Sequence, residues 1–119
     1  DPDCPFCRAM EQKLDSLDNY TAYVLLLPLD ELHPNASAAA KRIWCAADPS
    51  AAWLTYMHTQ QLPEARDCTT PIAELQQLAH AHQITGTPTL VMPDGEIVEG
   101  MPDLDAFKSR LAAPSGTSH

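Results

Sequence analysis

The chain has 119 residues and a mass of 13.0 kDa, which is the size of one domain with a hydrophobic core of its own. Its hydrophobic content of 45% argues against wholesale disorder, and its formal net charge of −9 argues against binding to the phosphates of nucleic acids. No apolar run reaches the roughly 18 residues that a membrane-spanning helix requires.

Apolar residues recur at helical spacing near the N-terminus, at Phe6, Met10, Leu14 and Leu17. They predict a first helix from about Pro5 to Leu17, and proline is well suited to a first helical turn. The next segment, Tyr23–Leu27, is continuously apolar, which is typical of a strand covered on both faces. Pro28 ends this predicted strand.

Three helices are predicted in the middle of the chain. An alanine-rich helix is expected from its cap at Asn35 to about Ala46, and a second helix begins at Asp48. After a loop that ends at Thr70, a third helix is expected from Pro71 to about His82.

A β-hairpin is predicted around the Asp94-Gly95 pair, with short strands at Thr89–Met92 and Glu96–Val98. A closing helix follows the hairpin. Its buried face is formed by Leu104, Phe107 and Leu111.

The predicted order of helix, strand, three helices, hairpin and helix is that of an α/β layer domain. We expect this domain to span residues 1–113, with a helical insert at about residues 31–70 between the Tyr23–Leu27 strand and the hairpin. The small polar residues 114–119 are expected to form a disordered tail.

Cys4 and Cys7 form a Cys-x-x-Cys motif at the start of the first predicted helix, with Pro5 and Phe6 between them. Free backbone N–H groups and the helix dipole stabilise a thiolate at a helix N-terminus, which lowers the pKa of a cysteine there. We therefore expect Cys4 to attack or release a partner's sulfur and Cys7 to resolve the mixed disulfide. Asp3 places a negative charge beside Cys4 and opposes this stabilisation.

A zinc half-site and an inert structural disulfide are the alternatives for this motif. Structural zinc normally needs a second close pair of ligands. Cys45 and Cys68 are too far apart in sequence to form one, and His80 and His82 point to different faces of the predicted helix. We therefore favour a redox centre with no metal and no added cofactor.

The stretch Gly86-Thr87-Pro88-Thr89 precedes the hairpin. A proline directly before a strand and after Gly-Thr is a candidate for a cis peptide bond, which proteins keep where the geometry is used. We predict that the Thr87–Pro88 bond is cis.

Together these motifs resemble the catalytic domain of the bacterial periplasmic thiol–disulfide isomerases, the DsbC/DsbG family of thioredoxin-fold proteins. The matching residues are Asp1-Pro2-Asp3-Cys4-Pro5-Phe6-Cys7, Arg42-Ile43-Trp44-Cys45-Ala46 with Asp48, Cys68, and Gly86-Thr87-Pro88. The resemblance extends to about Leu111 and implies a thioredoxin-like fold with an exposed Cys4 and a buried Cys7. It also implies that Thr87 and Pro88 face the cysteines, and we expect these two residues to bind substrate together with Pro5 and Phe6.

The resemblance further implies a second, structural disulfide between Cys45 and Cys68. Four cysteines are compatible with two disulfides, and a bridge that closes a loop of about 24 residues would contribute roughly 3 kcal/mol to stability. Two free buried thiols are the alternative. Disulfides indicate an oxidising compartment, which the resemblance implies to be the bacterial periplasm.

We therefore expect a thiol–disulfide oxidoreductase or isomerase that acts on exported proteins, with a membrane or soluble thiol reductant as a further partner. The family implies a homodimer joined through an upstream domain. One alternative is a redox-inert thioredoxin-like module that binds secreted proteins at Thr87–Pro88. Another is a protein that delivers a metal or an iron–sulfur cluster. The direction of redox traffic stays open.

A thioredoxin fold also requires a central strand between Tyr23–Leu27 and Thr89–Met92. This strand precedes the cysteine motif in such folds, and the residues before Cys4 are too few to form it. Its absence leaves two rows of unpaired backbone groups, which are costly when buried. We expect an upstream segment of about five to eight mainly apolar residues, or a neighbouring chain, to supply the strand.

Overall fold

The structure is a computed structural model that describes residues 1–18 and 20–112. Within these residues the elements are α1 Pro5–Leu14, α2 Ala36–Trp44, α3 Pro49–Thr59, α4 Ile72–Ala81, β1 Thr89–Val91, β2 Ile97–Glu99 and α5 Leu104–Ala112. The predicted helices and hairpin are thereby confirmed, and the predicted tail lies outside the described residues. In the described part of the chain, no helix has the length and apolar composition needed to cross a bilayer.

The first helix is shorter than predicted. α1 begins at Pro5 and ends at Leu14, three residues before the expected end. Beyond that point the Ser16 N–H donates to the Lys13 carbonyl at 3.2 Å, and the Leu17 N–H donates to the Leu14 carbonyl at 3.0 Å. These bonds span three residues instead of four, so the backbone has left the α-helix for tighter turns.

The starts of α3 and α4 follow from their caps. The Asp48 carboxylate accepts a hydrogen bond from the Ala51 N–H at 3.1 Å and caps α3, as predicted. α4 begins at Ile72 with Pro71 as its N-cap, one residue later than the cap expected at Thr70. The reason is local, because the ψ angle of Pro71 is 16°, outside the helical range.

β1 and β2 form an antiparallel hairpin in which Leu90 lies opposite Val98. β2 begins one residue later than predicted, at Ile97. The turn depends on Gly95, whose φ angle of 90° is unfavourable for residues with a side chain. Its N–H donates to the Met92 carbonyl at 2.8 Å and closes the turn.

The predicted strand at Tyr23–Leu27 is not a strand in the structure. Its backbone makes no hydrogen bond to any described residue, and the sheet of the described residues has only the two strands β1 and β2. Leu26 is buried, whereas Tyr23 is 88% and Leu25 is 63% exposed. The segment therefore has the composition of a buried strand but no neighbouring strand to pair with.

Two clusters of buried side chains hold the helices together. The larger cluster contains both cysteines of the motif and joins α1 to α2, α3 and the start of α4. Its members are Cys4, Cys7, Leu26, Ala39, Ala40, Ile43, Trp53, Tyr56, Met57 and Ile72. The smaller cluster, Leu14, Met92 and Phe107, packs α5 against α1 and the hairpin. This packing places the start of α1 between the helical insert and the loop that precedes β1.

Candidate active site

The two cysteines of the motif lie where α1 begins. Cys4 is the N-cap residue and Cys7 lies in the first turn, and both are free thiols. Both residues are buried, with 3% and 4% of their surface exposed. The expectation of a buried Cys7 is confirmed, but that of an exposed Cys4 is wrong. The loop before β1 covers Cys4, whose Sγ donates to the Thr87 carbonyl at 3.5 Å.

The two thiols have opposite pKa shifts. Burial raises the pKa of Cys4, but hydrogen bonds from the Thr87 side chain and from the Cys7 and Phe6 backbone outweigh this effect, so that the pKa is lowered. Burial also dominates at Cys7 and raises its pKa. Cys4 is therefore the more readily ionised thiol, as the nucleophile of an exchange reaction must be.

Thr87 and Pro88 face the cysteine pair, and the bond between them is cis, which confirms the predicted geometry. The Thr87 hydroxyl is buried and has no hydrogen-bond partner among the described residues, so it is free to stabilise a thiolate at either cysteine. A hydroxyl in this position donates to whichever sulfur carries a negative charge. Two chain segments thus bring four groups to one point: two sulfurs from the start of α1, and the carbonyl and hydroxyl of Thr87.

Pro5 and Phe6 lie on the surface beside the buried sulfurs. Both residues are exposed, and Phe6 exposes 70% of its surface. An aromatic side chain held open at the rim of a reactive site offers apolar contact area to another molecule. All of the predicted substrate-binding residues, Pro5, Phe6, Thr87 and Pro88, are therefore near Cys4.

The charge of Asp3 beside Cys4 is compensated by groups that sequence reasoning missed. The Tyr56 hydroxyl donates to the Asp3 carboxylate, and Arg8 Nη2 lies 3.7 Å from the same oxygen. Burial and this bond raise the pKa of Tyr56, which keeps the hydroxyl protonated as a donor. Tyr56 comes from α3, 53 residues away in sequence, so no local spacing could have revealed it.

Asp1 anchors the start of the site to the loop that follows residues 22–27. Its carboxylate is fully buried and accepts hydrogen bonds from the Leu29 N–H at 2.9 Å and the Asp3 N–H at 2.8 Å. His33 Nδ1 lies 2.8 Å from the same carboxylate. A buried carboxylate with this many partners holds its surroundings in one arrangement.

A second buried carboxylate lies one turn beyond Cys7 on α1. Glu11 is 7% exposed and accepts a hydrogen bond from the Trp53 indole N–H at 2.9 Å. This bond ties the helix that carries the cysteines to α3 of the insert. The helical spacing of Glu11 relative to Cys7 is visible in the sequence, but its partner is not.

Cys45 and Cys68 form a disulfide, which confirms that prediction. The bridge joins the end of α2 to the segment before α4, with a Cα–Cα distance of 5.8 Å. The Arg42 guanidinium donates to the Pro63 carbonyl and holds the same segment. Across residues 1–18 and 20–112, no three His, Cys, Asp or Glu side chains converge in the way that a metal site requires.

Similarity to known proteins agrees with this geometry. The sequence profile of the family described as "Thioredoxin-like domain" matches residues 1–113. The chain is 32% identical over 111 residues to the probable thiol:disulfide interchange protein DsbC of Bordetella parapertussis. It is 28% identical over 99 residues to the thiol:disulfide interchange protein DsbC of Escherichia coli K12. These matches cover 93% and 82% of the chain, but the chain spans only 39% and 42% of the two relatives' length.

A solved structure is also similar. The crystal structure of a disulfide interchange protein from Neisseria gonorrhoeae superimposes with a TM-score of 0.88 at 33% sequence identity, over 93% of this chain and 80% of that one. Sequence profile, curated relatives and three-dimensional structure thus agree on one ancestry. The chain belongs to the thioredoxin-like domain family and is a relative of the DsbC thiol:disulfide interchange proteins.

Proposed function

We propose that this domain is a thiol–disulfide oxidoreductase or isomerase that acts on disulfides of exported proteins through Cys4 and Cys7. The observation that carries the proposal is a pair of free thiols at one helix start, with opposite pKa shifts, beside the Thr87–Pro88 turn. The names of the relatives, thiol:disulfide interchange proteins, support the same reaction. The Cys45–Cys68 disulfide supports an oxidising compartment, which we propose to be the bacterial periplasm.

The exchange proceeds in two displacements. The Cys4 thiolate attacks one sulfur of a substrate disulfide, a Cys4–substrate disulfide forms, and the other substrate sulfur leaves as a thiolate. Cys7 then loses its proton and attacks the Cys4 Sγ, so that a Cys4–Cys7 disulfide forms and the second substrate sulfur leaves. The substrate has gained two electrons and the domain has lost two, which a thiol reductant returns. In isomerisation, another thiolate of the substrate attacks the substrate sulfur of the mixed disulfide, so that a new substrate disulfide forms and Cys4 leaves as a thiolate.

The geometry supports this division of roles between the two cysteines. Thr87 stabilises a negative charge on either sulfur, so its hydroxyl assists both the attack by Cys4 and the resolution by Cys7. The raised pKa of Cys7 keeps it protonated until the mixed disulfide has formed. Substrate reaches the buried Cys4 past the exposed Phe6, and an extended substrate chain would pair with the backbone at Thr87.

The test is the reduction of insulin by dithiothreitol with matched serine variants. Cys4→Ser should lower the rate to that of dithiothreitol alone, because the attacking thiol is lost and Cys7 is buried with a raised pKa. Cys7→Ser should instead accumulate a covalent Cys4–substrate complex on a non-reducing gel, because the intermediate forms but is not resolved. A wild-type protein no faster than Cys4→Ser would overturn the proposal and leave the binding module as the better description.

Substrate contact at the turn is tested by Pro88→Ala. We expect this variant to release substrate more slowly and to accumulate mixed disulfides, since Pro88 lies at the turn that faces both sulfurs. The measurement is the fraction of protein in mixed disulfide after quenching with acid. The same fraction in Pro88→Ala and wild type would remove Pro88 from the substrate site.

A further inference from the structure

The first N–H groups of α1 are kept for the Cys4 thiolate. Cys4 is the N-cap residue, and its side chain makes no capping hydrogen bond as a thiol. Burial opposes the ionisation of Cys4, but the Thr87 side chain and the N–H groups of Cys7 and Phe6 more than offset it and lower the pKa. Any other acceptor that reached these N–H groups would compete with the thiolate.

Asp3 carries such an acceptor. Its carboxylate precedes the Phe6 N–H by three residues, which is the spacing at which a side-chain oxygen caps a helix. Pro5 has no N–H, so the Phe6 N–H is the first donor of α1 within reach of Asp3. The carboxylate does not point there in the structure, because it accepts from the Tyr56 hydroxyl instead.

Tyr56 fixes the direction of the Asp3 carboxylate. The Tyr56 ring is 8% exposed and packs in the larger cluster with Cys4 and Met57, so its hydroxyl is held in one place. Arg8 Nη2 lies 3.7 Å from the same Asp3 oxygen, which is beyond hydrogen-bond distance. Arg8 therefore balances the charge of Asp3, and the hydrogen bond that orients it comes from Tyr56.

We propose that Tyr56 is a positioning residue for Cys4: its hydroxyl holds the Asp3 carboxylate away from the Phe6 N–H, so that this donor stays available to the Cys4 thiolate. Without the hydroxyl, Asp3 caps α1. The thiolate then loses a donor and gains a negative neighbour, and both effects raise the pKa of Cys4. The inference rests on the proposed function and deepens it, because it names a side chain of the helical insert that keeps the nucleophile reactive.

The test is a double-variant cycle. All proteins carry Cys7→Ser, so that Cys4 is the remaining free thiol. Tyr56→Phe removes the hydroxyl and keeps the ring in the core, and Asp3→Ala removes the carboxylate that the hydroxyl holds. The rate of iodoacetamide labelling is measured against pH for the parent, the two single variants and the combined variant. Hydrogen exchange of the Phe6 amide is measured by NMR at a pH where Cys4 is a thiol.

We expect Tyr56→Phe to move the midpoint of the labelling rate upward by about 0.5 pH unit and to slow labelling near neutral pH about threefold. In the Asp3→Ala background the same substitution should change neither quantity, since no carboxylate is left to move. The Phe6 amide should exchange more slowly in Tyr56→Phe than in the parent, because Asp3 then accepts from it.

An equal change in the two backgrounds would overturn the proposal, because Tyr56 would then act through packing. An unchanged or lower midpoint in Tyr56→Phe, or a Phe6 amide that exchanges no more slowly, would overturn it too. Insulin reduction by the wild type and Cys4→Ser tests the reaction itself, so a failure of the proposed function is distinguished from a failure of the role of Tyr56.

Discussion

Removing the Cys45–Cys68 bridge should destabilise the domain without changing its redox reaction. The two cysteines are 23 residues apart. Cross-linking a loop of this length lowers the conformational entropy of the unfolded chain, which stabilises the folded state by about 3 kcal/mol. For a domain of this size, about 3 kcal/mol corresponds to a fall in melting temperature of roughly 12 °C. We remove the bridge with the double variant Cys45→Ala/Cys68→Ala, because replacing only one cysteine would leave the other as a free thiol.

Other contacts of the same segment are weaker and provide the control. Lys41 and Asp67 form an ion pair at 2.5 Å, but their side chains are 48% and 90% exposed, so water and salt screen the interaction. The variant Lys41→Ala, with the bridge intact, should therefore melt close to the wild type. The contact between Arg42 and Pro63 is kept in both variants.

The assay is thermal unfolding followed by circular dichroism without reductant, together with insulin reduction below the melting transition. The double variant should melt roughly 12 °C lower and retain its rate of insulin reduction, since the bridge lies outside the Cys4–Cys7 site. A melting temperature within about 3 °C of the wild type would refute the loop-entropy reasoning. Loss of activity in a folded double variant would mean that the bridge takes part in the reaction.

Two further outcomes follow from the site. Iodoacetamide should label Cys4 faster than Cys7 near neutral pH, and the Cys4 rate should reach half its maximum at a lower pH, because the pKa of Cys4 is lowered and that of Cys7 is raised. Equal rates on peptide mapping would contradict this. Trp53→Phe should lower the free energy of unfolding by denaturant by about 1–3 kcal/mol, because the Glu11 carboxylate loses its buried donor. Glu11→Gln keeps an acceptor oxygen and should lower it less. The reverse order of the two variants would show that this hydrogen bond contributes little.

The redox site depends on the helical insert as much as on the motif. Tyr56 and Trp53 both come from α3 and reach back to carboxylates on either side of the cysteine pair, at Asp3 and Glu11. The insert therefore sets the electrostatic surroundings of Cys4 and Cys7 as well as filling the core. Substitutions in α3 are expected to change thiol reactivity even though α3 carries no reactive group.

The sequence by itself determined the features that depend on neighbouring residues. Helical spacing and caps located α1 to α5, although α1 ends early at Leu14 where the backbone tightens. The Asp94-Gly95 pair predicted the hairpin, and Gly-Thr-Pro predicted the cis bond before β1. The Cys-x-x-Cys motif at a helix start likewise indicated which thiol has the lower pKa. The Thr87 side chain lowers the pKa of Cys4 most, and the backbone groups of Cys7 and Phe6 at the helix start contribute the rest that local structure supplies.

Tertiary structure alone decided what depends on residues far apart in the chain. Tyr23–Leu27 has the composition of a buried strand, but pairing requires a neighbour that no local pattern can supply, so the segment forms no strand. The burial of Cys4 depends on the loop at Thr87, 83 residues away. The carboxylates of Asp1 and Glu11 are likewise buried only because distant groups satisfy them. A local pattern can set the conformation of a segment, but burial, pairing and pKa follow from the neighbours that folding brings into contact.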